Sequence, residues 1–303
     1  MSRFRCVATL LAEKAFTNVA RLCRVLSVSR AGFYAWRGPD GQGRPASARA
    51  RADAALSAQI HEIHAESSGT YGSPRVHAEL CFTNRRCGRR RVARLMRLAG
   101  LAGCHRRRGR RTTVADPSAT PAADLVCRAF RPTAPNRLWV ADITYVRTWE
   151  GWLYLAVVLD AFSRRVVGWA TADHLRTALV LEALDMAVAH RRPSAGLIHH
   201  SDHGSQYTSL AFGHQLQASG LVASMGTVAD CFDNAVAESF FATLKCELLY
   251  RRSWPRRQDA QLALFTFIEA WYTPRRRHST LGFLSPATYE VQYHSRTHAT
   301  AVA

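Results

Sequence analysis

Apolar residues recur at helical spacing through the first part of the chain, then alternate or run together in the next, so a helical region precedes one rich in strands. Val19, Leu22, Cys23 and Leu26 share one face of a predicted helix. Ser27-Val28-Ser29 interrupts it, with Ser29 placed to cap a second helix whose apolar body is Phe33, Tyr34 and Trp36. Residues 17–37 therefore have helix-turn-helix proportions. The Gly- and Pro-rich stretch from Pro39 to Ser47 reads as a linker. A helix is predicted over 49–66, a turn over 67–72, and a further helix with Ser73 and Pro74 in its N-cap and N1 positions. After Gly88 the next helix carries Val92, Leu95, Met96 and Ala99 on one side. Arg89, Arg90, Arg91, Arg94 and Arg97 lie largely on the others, and Gly100 stands where a C′ glycine belongs.

Between Thr112 and Pro135, Ala, Pro, Thr and Asp dominate, which marks a boundary. Beyond it, Leu138 to Arg147 alternates and is rich in Trp, Val, Ile, Thr and Tyr, as a strand is. Trp152 to Asp160 has a near-continuous apolar centre and predicts a strand buried on both faces. Strands are also predicted over 164–171, 196–201 and 221–225, and helices over 175–190, 207–219, 234–250 and 258–272. Three strands in a meander followed by alternating helices and strands is the order of the ribonuclease H-like fold.

Charge sharpens this division. The net charge is +19, and residues 1–134 hold 25 Lys+Arg against 8 Asp+Glu, whereas residues 135–303 hold 16 against 14. The excess belongs to the helical part and is the footprint of a polyanion partner. Arg89, Arg90, Arg91 and Arg94 crowd the start of one helix, where they suit a phosphate or groove contact. Arg106, Arg107 and Arg108 belong to a basic run without apolar period, predicted to be an arm on the DNA backbone. The 8 cysteines include no Cys-x-x-Cys pair and read as reduced thiols. No apolar run reaches the ~18 residues of a membrane span, and a cytoplasmic protein is expected.

Three acids carry the candidate chemistry. Asp142 lies mid-strand in Trp139-Val140-Ala141-Asp142-Ile143-Thr144-Tyr145, where an ionisable group is costly unless paired or metal-bound. Asp202 ends the strand before the glycine of His203-Gly204-Ser205, and Glu238 sits in the first turns of a helix with Asp233 or Asn234 to cap it. If folding gathers them, their repulsion calls for Mg²⁺ or Mn²⁺, and two ions about 3.5–4 Å apart suit phosphoryl transfer on a phosphodiester. Lys245 falls two turns after Glu238 on the same face, placed to contact a phosphate. His199 and His200 point to opposite faces of a strand and read as core residues, not ligands.

At these residues the chain resembles the integrase core of bacterial insertion-sequence transposases. The resemblance rests on Trp139 to Tyr145, on His200-Ser201-Asp202-His203-Gly204-Ser205-Gln206-Tyr207, and on Asp233-Asn234-Ala235 with Glu238 and Lys245. More narrowly the chain resembles the second-frame product, OrfB, of elements whose transposase is assembled from two frames; Tyr71 to Met96 is similar to that family's helix-turn-helix region. The resemblance implies an α/β, ribonuclease H-like integrase core, a five-stranded mixed sheet with flanking helices, preceded by a basic all-α helix-turn-helix region. It implies that Asp142, Asp202 and Glu238 form a Mg²⁺-binding DDE triad, that Lys245 contacts terminal DNA, and that nicking frees a 3′-hydroxyl which attacks target DNA. It also implies the first-frame product, OrfA, as partner and a homo-multimer on DNA at the bacterial nucleoid. The expected division is a helical hairpin and linker (1–47), a basic region with its arginine arm (48–111), a linker (112–134), the catalytic core (135–250) and a helical extension (251–303). A ribonuclease H-like nuclease without strand transfer and a non-catalytic DNA-binding regulator remain as alternatives.

Overall fold

The computed structural model describes residues 3–13, 18–37, 47–105, 132–202, 204–225 and 235–302. Helices α1 (Arg3–Ala12), α2 (Val19–Val25) and α3 (Arg30–Arg37) close around Val7, Leu22, Cys23 and Phe33. The sequence pattern did not predict α1. Ser29 caps α3, its Oγ accepting from Gly32 N at 3.0 Å. Helices α4 (Ala48–Glu66), α5 (Ser73–Phe82) and α6 (Arg89–Leu98) form a second cluster around Ile60, Tyr71, Val76, Leu80 and Val92. The N-cap of α5 is Gly72, one residue earlier than expected: its carbonyl accepts from Arg75 and Val76, which draws Ser73 into the first turn.

The strands are β1 (Leu138–Thr148), β2 (Gly151–Asp160), β3 (Val166–Ala172), β4 (Ile198–Ser201) and β5 (Val222–Met225), in spatial order β3-β2-β1-β4-β5. β1, β2 and β3 pair antiparallel; β4 joins β1 in parallel and β5 joins β4 in parallel. Among the described residues this is a five-stranded mixed sheet with helices on both faces. The pleat sorts the side chains: Leu138, Val140 and Val146 face one hydrophobic cluster, Trp139 and Ala141 the other. α7 (Thr177–Arg191) and α8 (Leu210–Ala218) cover the Trp139 side. Gly168 lets α7 approach β3 closely, since a Cβ there would stand 2.1 Å from the Ala183 carbonyl oxygen.

The Leu138 side is covered by α9 (Ala235–Glu247) and α10 (Arg257–Phe265), the latter running on as a π-helical turn over Thr266–Tyr272. The pattern predicted one continuous helix there. α11 (Pro286–Val302) is fastened to the sheet through buried Glu290, which pairs with Arg191 and Arg165 and accepts from the Ser163 hydroxyl. The α4–α6 cluster docks on the core through charge. Arg276 holds buried Glu247 with two hydrogen bonds, Arg277 pairs with Glu79, and the Arg277 N–H donates to the Tyr71 hydroxyl at 2.7 Å. Among the described residues, no helix is long and apolar enough to cross a membrane.

Candidate active site

Strand register sets two of the acids side by side. In the parallel pair of β1 and β4, Val140 faces His200. Two residues further on each chain stand Asp142 and Asp202, at the carboxyl end of β4, on neighbouring strands whose usual spacing is about 4.8 Å. Period-two alternation turns Asp142 toward the face that α9 covers, and Glu238 lies in the first turn of α9.

Electrostatics record this juxtaposition. The Asp142 carboxyl is pushed up to about 7, by burial first, then by the Asp202 carboxylate, with Glu238 adding to both. The Ile143 N–H, donating to Asp142 Oδ1 at 2.7 Å, and the Lys245 ammonium act the other way. Glu238 is exposed as a residue, yet partial burial of its carboxyl raises its pKa as well. Asp202 Oδ1 accepts from Gly204 N at 3.1 Å, which folds the following loop back over the strand end. Among the described residues no three His, Cys, Asp or Glu side chains stand close enough to hold a metal ion together. The three acids are thus coupled through charge without forming a closed ligand cage. Their oxygens are the hard donors that Mg²⁺ and Mn²⁺ prefer, and a divalent cation offsets the repulsion that raises Asp142, so the residues present fit such an ion.

Tyr207 belongs to this site, and periodicity misplaced it. The expected helix over 207–219 begins only at Leu210, because Ser209 caps it and Tyr207 N bonds back to the Gly204 carbonyl. Tyr207 therefore lies in the loop after Asp202, its hydroxyl buried and without a partner among the described residues. Burial, then the charges of Asp142 and Asp202, hold that hydroxyl well above its ordinary value, so it remains a neutral donor. Beneath it His199 packs against the rings of Phe212 and Tyr207, while His200 Nδ1 meets Ser224 Oγ at 3.0 Å; both histidines are buried in the core, away from a ligand role.

Lys245 Nζ stands 5.9 Å from the centre of the Tyr145 ring, on the Asp142 side of α9. Of the four arginines assigned to α6, Arg89 and Arg90 are exposed. Arg91 and Arg94 instead grip Asp53 of α4 at 2.6 Å each, and these hydrogen bonds hold the Asp53 carboxyl below its usual range. They fasten α6 to α4, a role that α6's own periodicity could not show. Arg106, Arg107, Arg108, His203, Asp233 and Asn234 lie outside the described residues.

Comparison with known proteins agrees with this architecture. Residues 132–231 match the family model "Integrase core domain", residues 219–286 a second model of that description, and residues 50–109 the "HTH-like domain". The chain is 40% identical to the transposase for insertion sequence element IS629 of Shigella sonnei, over 92% of this chain and 93% of that protein. It is also 40% identical to the putative transposase for insertion sequence element IS986/IS6110 of Mycobacterium tuberculosis, over 84% of this chain and 93% of that one. Among solved structures it is similar to the HTLV-2 integrase catalytic core domain in complex with magnesium, at 17% identity and a TM-score of 0.40, covering 53% of this chain and 99% of that one.

Proposed function

The chain belongs to the insertion-sequence transposases that join an HTH-like region to an integrase core, and we propose that it carries out DNA nicking and strand transfer at Asp142, Asp202 and Glu238. It is a polynucleotidyl transferase, and the family's core uses a divalent metal. The observation that carries the reading is the register match of Asp142 with Asp202, together with the rise of Asp142 to about 7 that their proximity and burial produce. Acids merely serving the fold would be paired with cations, as Glu247 and Glu290 are.

In this reading Asp142, Asp202 and Glu238 hold two Mg²⁺ or Mn²⁺ ions, which when bound supply an activated attacking oxygen and a stabilised leaving oxygen. The protein's own groups position the DNA. Lys245 holds a phosphate beside Asp142, and the buried, neutral Tyr207 side chain backs the loop that carries Asp202. The β4 end and the Gly204 N–H fix the orientation of the exposed Asp202 carboxylate. Nicking frees a 3′-hydroxyl; its attack on a target phosphodiester forms one P–O bond as another breaks, so no covalent protein intermediate is needed. Residues 48–111 grip DNA, with Arg89 and Arg90 on the phosphates and Arg106, Arg107 and Arg108 as the arm. Residues 135–250 do the chemistry and 251–303 buttress them. Recognition of the element's ends falls to the first-frame product, OrfA, with the catalytic chain acting as a multimer on DNA.

The test is a joining reaction in which the chain, with the first-frame product OrfA present, meets a labelled 3′-hydroxyl end, a plasmid target and Mg²⁺. Wild-type protein should yield joined product, and Asp202→Asn should lose it while still binding DNA. Cleavage without joining would leave only a nuclease, and unchanged behaviour of Asp202→Asn would leave a DNA-binding regulator.

A further inference from the structure

Around the β1–β2 hairpin turn, beyond the Asp142 end of the site, four large aromatic side chains stand in solvent: Tyr145 is 59% exposed, Trp149 77%, Trp152 45% and Tyr250 78%. Apolar rings gathered on one face of a protein mark a contact surface. These line a single groove of about 640 Å³ between the β1–β2 hairpin and the residues that follow α9, within the ~300–1,000 Å³ typical of small-ligand sites. Its walls are built. Tyr145 and Trp152 meet edge to face with centroids 5.0 Å apart, and Trp149 N donates to the Trp254 carbonyl at 3.1 Å, which ties the hairpin turn to the far wall.

The chemistry of the lining selects the occupant. Lys245, Arg147 and Arg252 share the groove with the rings, and no acidic side chain is part of it among the described residues. Arg252 lies 4.2 Å over the Trp254 ring. Aromatic faces interleaved with cations suit a chain of bases and phosphates, since every base presents a π-face and each linkage an anion. Bases inside a duplex are already stacked on one another, so only unpaired nucleotides can use the rings. Lys245 lines the groove and stands on the same helix as Glu238, two turns along, so it lies between the groove and the acids.

We propose that this groove binds unpaired DNA nucleotides a few positions from the reacting phosphodiester, with their bases stacked on Trp149 and Tyr250 and their phosphates on Lys245, Arg147 and Arg252. The assignment rests on reading Asp142, Asp202 and Glu238 as the DNA-processing site, and it implies that the duplex end is opened as it enters.

Fluorescence anisotropy in EDTA, with the full chain, compares one duplex in two forms: blunt, or carrying a four-nucleotide unpaired 5′ extension. Wild-type protein should prefer the extended form. Trp149→Ala and Tyr250→Ala should each weaken binding to it by about 5- to 150-fold, the range of a lost base stack, while leaving blunt DNA unaffected and the melting curve unchanged. Trp149→Phe should retain most of the preference. Equal loss on both DNAs, or no loss, overturns the proposal; so does a change of sedimentation coefficient without an effect on DNA, which would mark the rings as a protein contact. Protein that joins DNA ends without this preference overturns the groove alone. Protein that shows the preference but joins nothing overturns the catalytic reading alone.

Discussion

His199 offers a stringent test of how β4 is held, and β4 is the strand that delivers Asp202. Its ring is buried against Phe212, with centroids 5.3 Å apart, and neither nitrogen has a hydrogen-bond partner among the described residues. Burial pulls its pKa down from 6.5 to about 4. A histidine held below its unfolded value is neutral in the fold, while the unfolded chain takes up a proton. Its contribution is therefore complete above about pH 6.5, is lost as the pH falls, and levels off near pH 4, below which both states are protonated. At about 1.4 kcal/mol per unit, that shift amounts to about 3 kcal/mol across the window. His199→Leu keeps the volume approximately and removes the titration. It also removes two buried, unpaired nitrogens, so the variant should be at least as stable as wild type near neutral pH. Urea denaturation of both proteins from about pH 7.5 to 4.5 should show their difference widening in the variant's favour by up to about 1.4 kcal/mol per unit below pH 6.5. The ring proton resonance of His199 should show no titration near 6.5. Parallel stability profiles, or a titration at the ordinary value, would refute this account of the strand's packing.

Arg276→Met leaves the buried Glu247 carboxylate with only the longer 3.4 Å contact to Arg75, and should cost up to about 3 kcal/mol in chemical denaturation. Adding Glu247→Gln should recover much of that loss, and a single variant no less stable than wild type would show the pair to be dispensable. Arg89→Ala with Arg90→Ala should shallow the log–log salt dependence of DNA binding by about 0.9 for each phosphate contact removed. An unchanged slope would take α6 off the DNA. Asp53→Ala should lower the melting temperature by freeing Arg91 and Arg94 from α4, and an unaltered melting temperature would mean that α6 is held by its apolar face alone.

How much of this was legible in sequence differs from residue to residue. The turn of Ser27-Val28-Ser29, the strand around Asp142 and the helix bearing Glu238 and Lys245 all follow from patterns a few residues long, and they lie near where periodicity placed them. Misses occurred where a local pattern competed with a specific hydrogen bond. The Gly204 carbonyl holds Tyr207 out of α8, and the Gly72 carbonyl pulls Ser73 into α5. The pairing of Arg91 and Arg94 with Asp53 was likewise not legible in sequence, because Asp53 lies on another helix.

By itself the sequence established the alternation of helices and strands, the basic character of the first part and the local setting of each acid, since these depend on neighbours within a turn or two. Tertiary structure alone decided that β1 lies between β2 and β4 with Val140 opposite His200, and hence that Asp142 meets Asp202. It alone gathered Tyr145, Trp149, Trp152 and Tyr250 into one groove and left His199 without a hydrogen-bond partner among the described residues. Register and burial are properties of surfaces brought together across the chain, and no periodicity within a single segment encodes which surface it will meet.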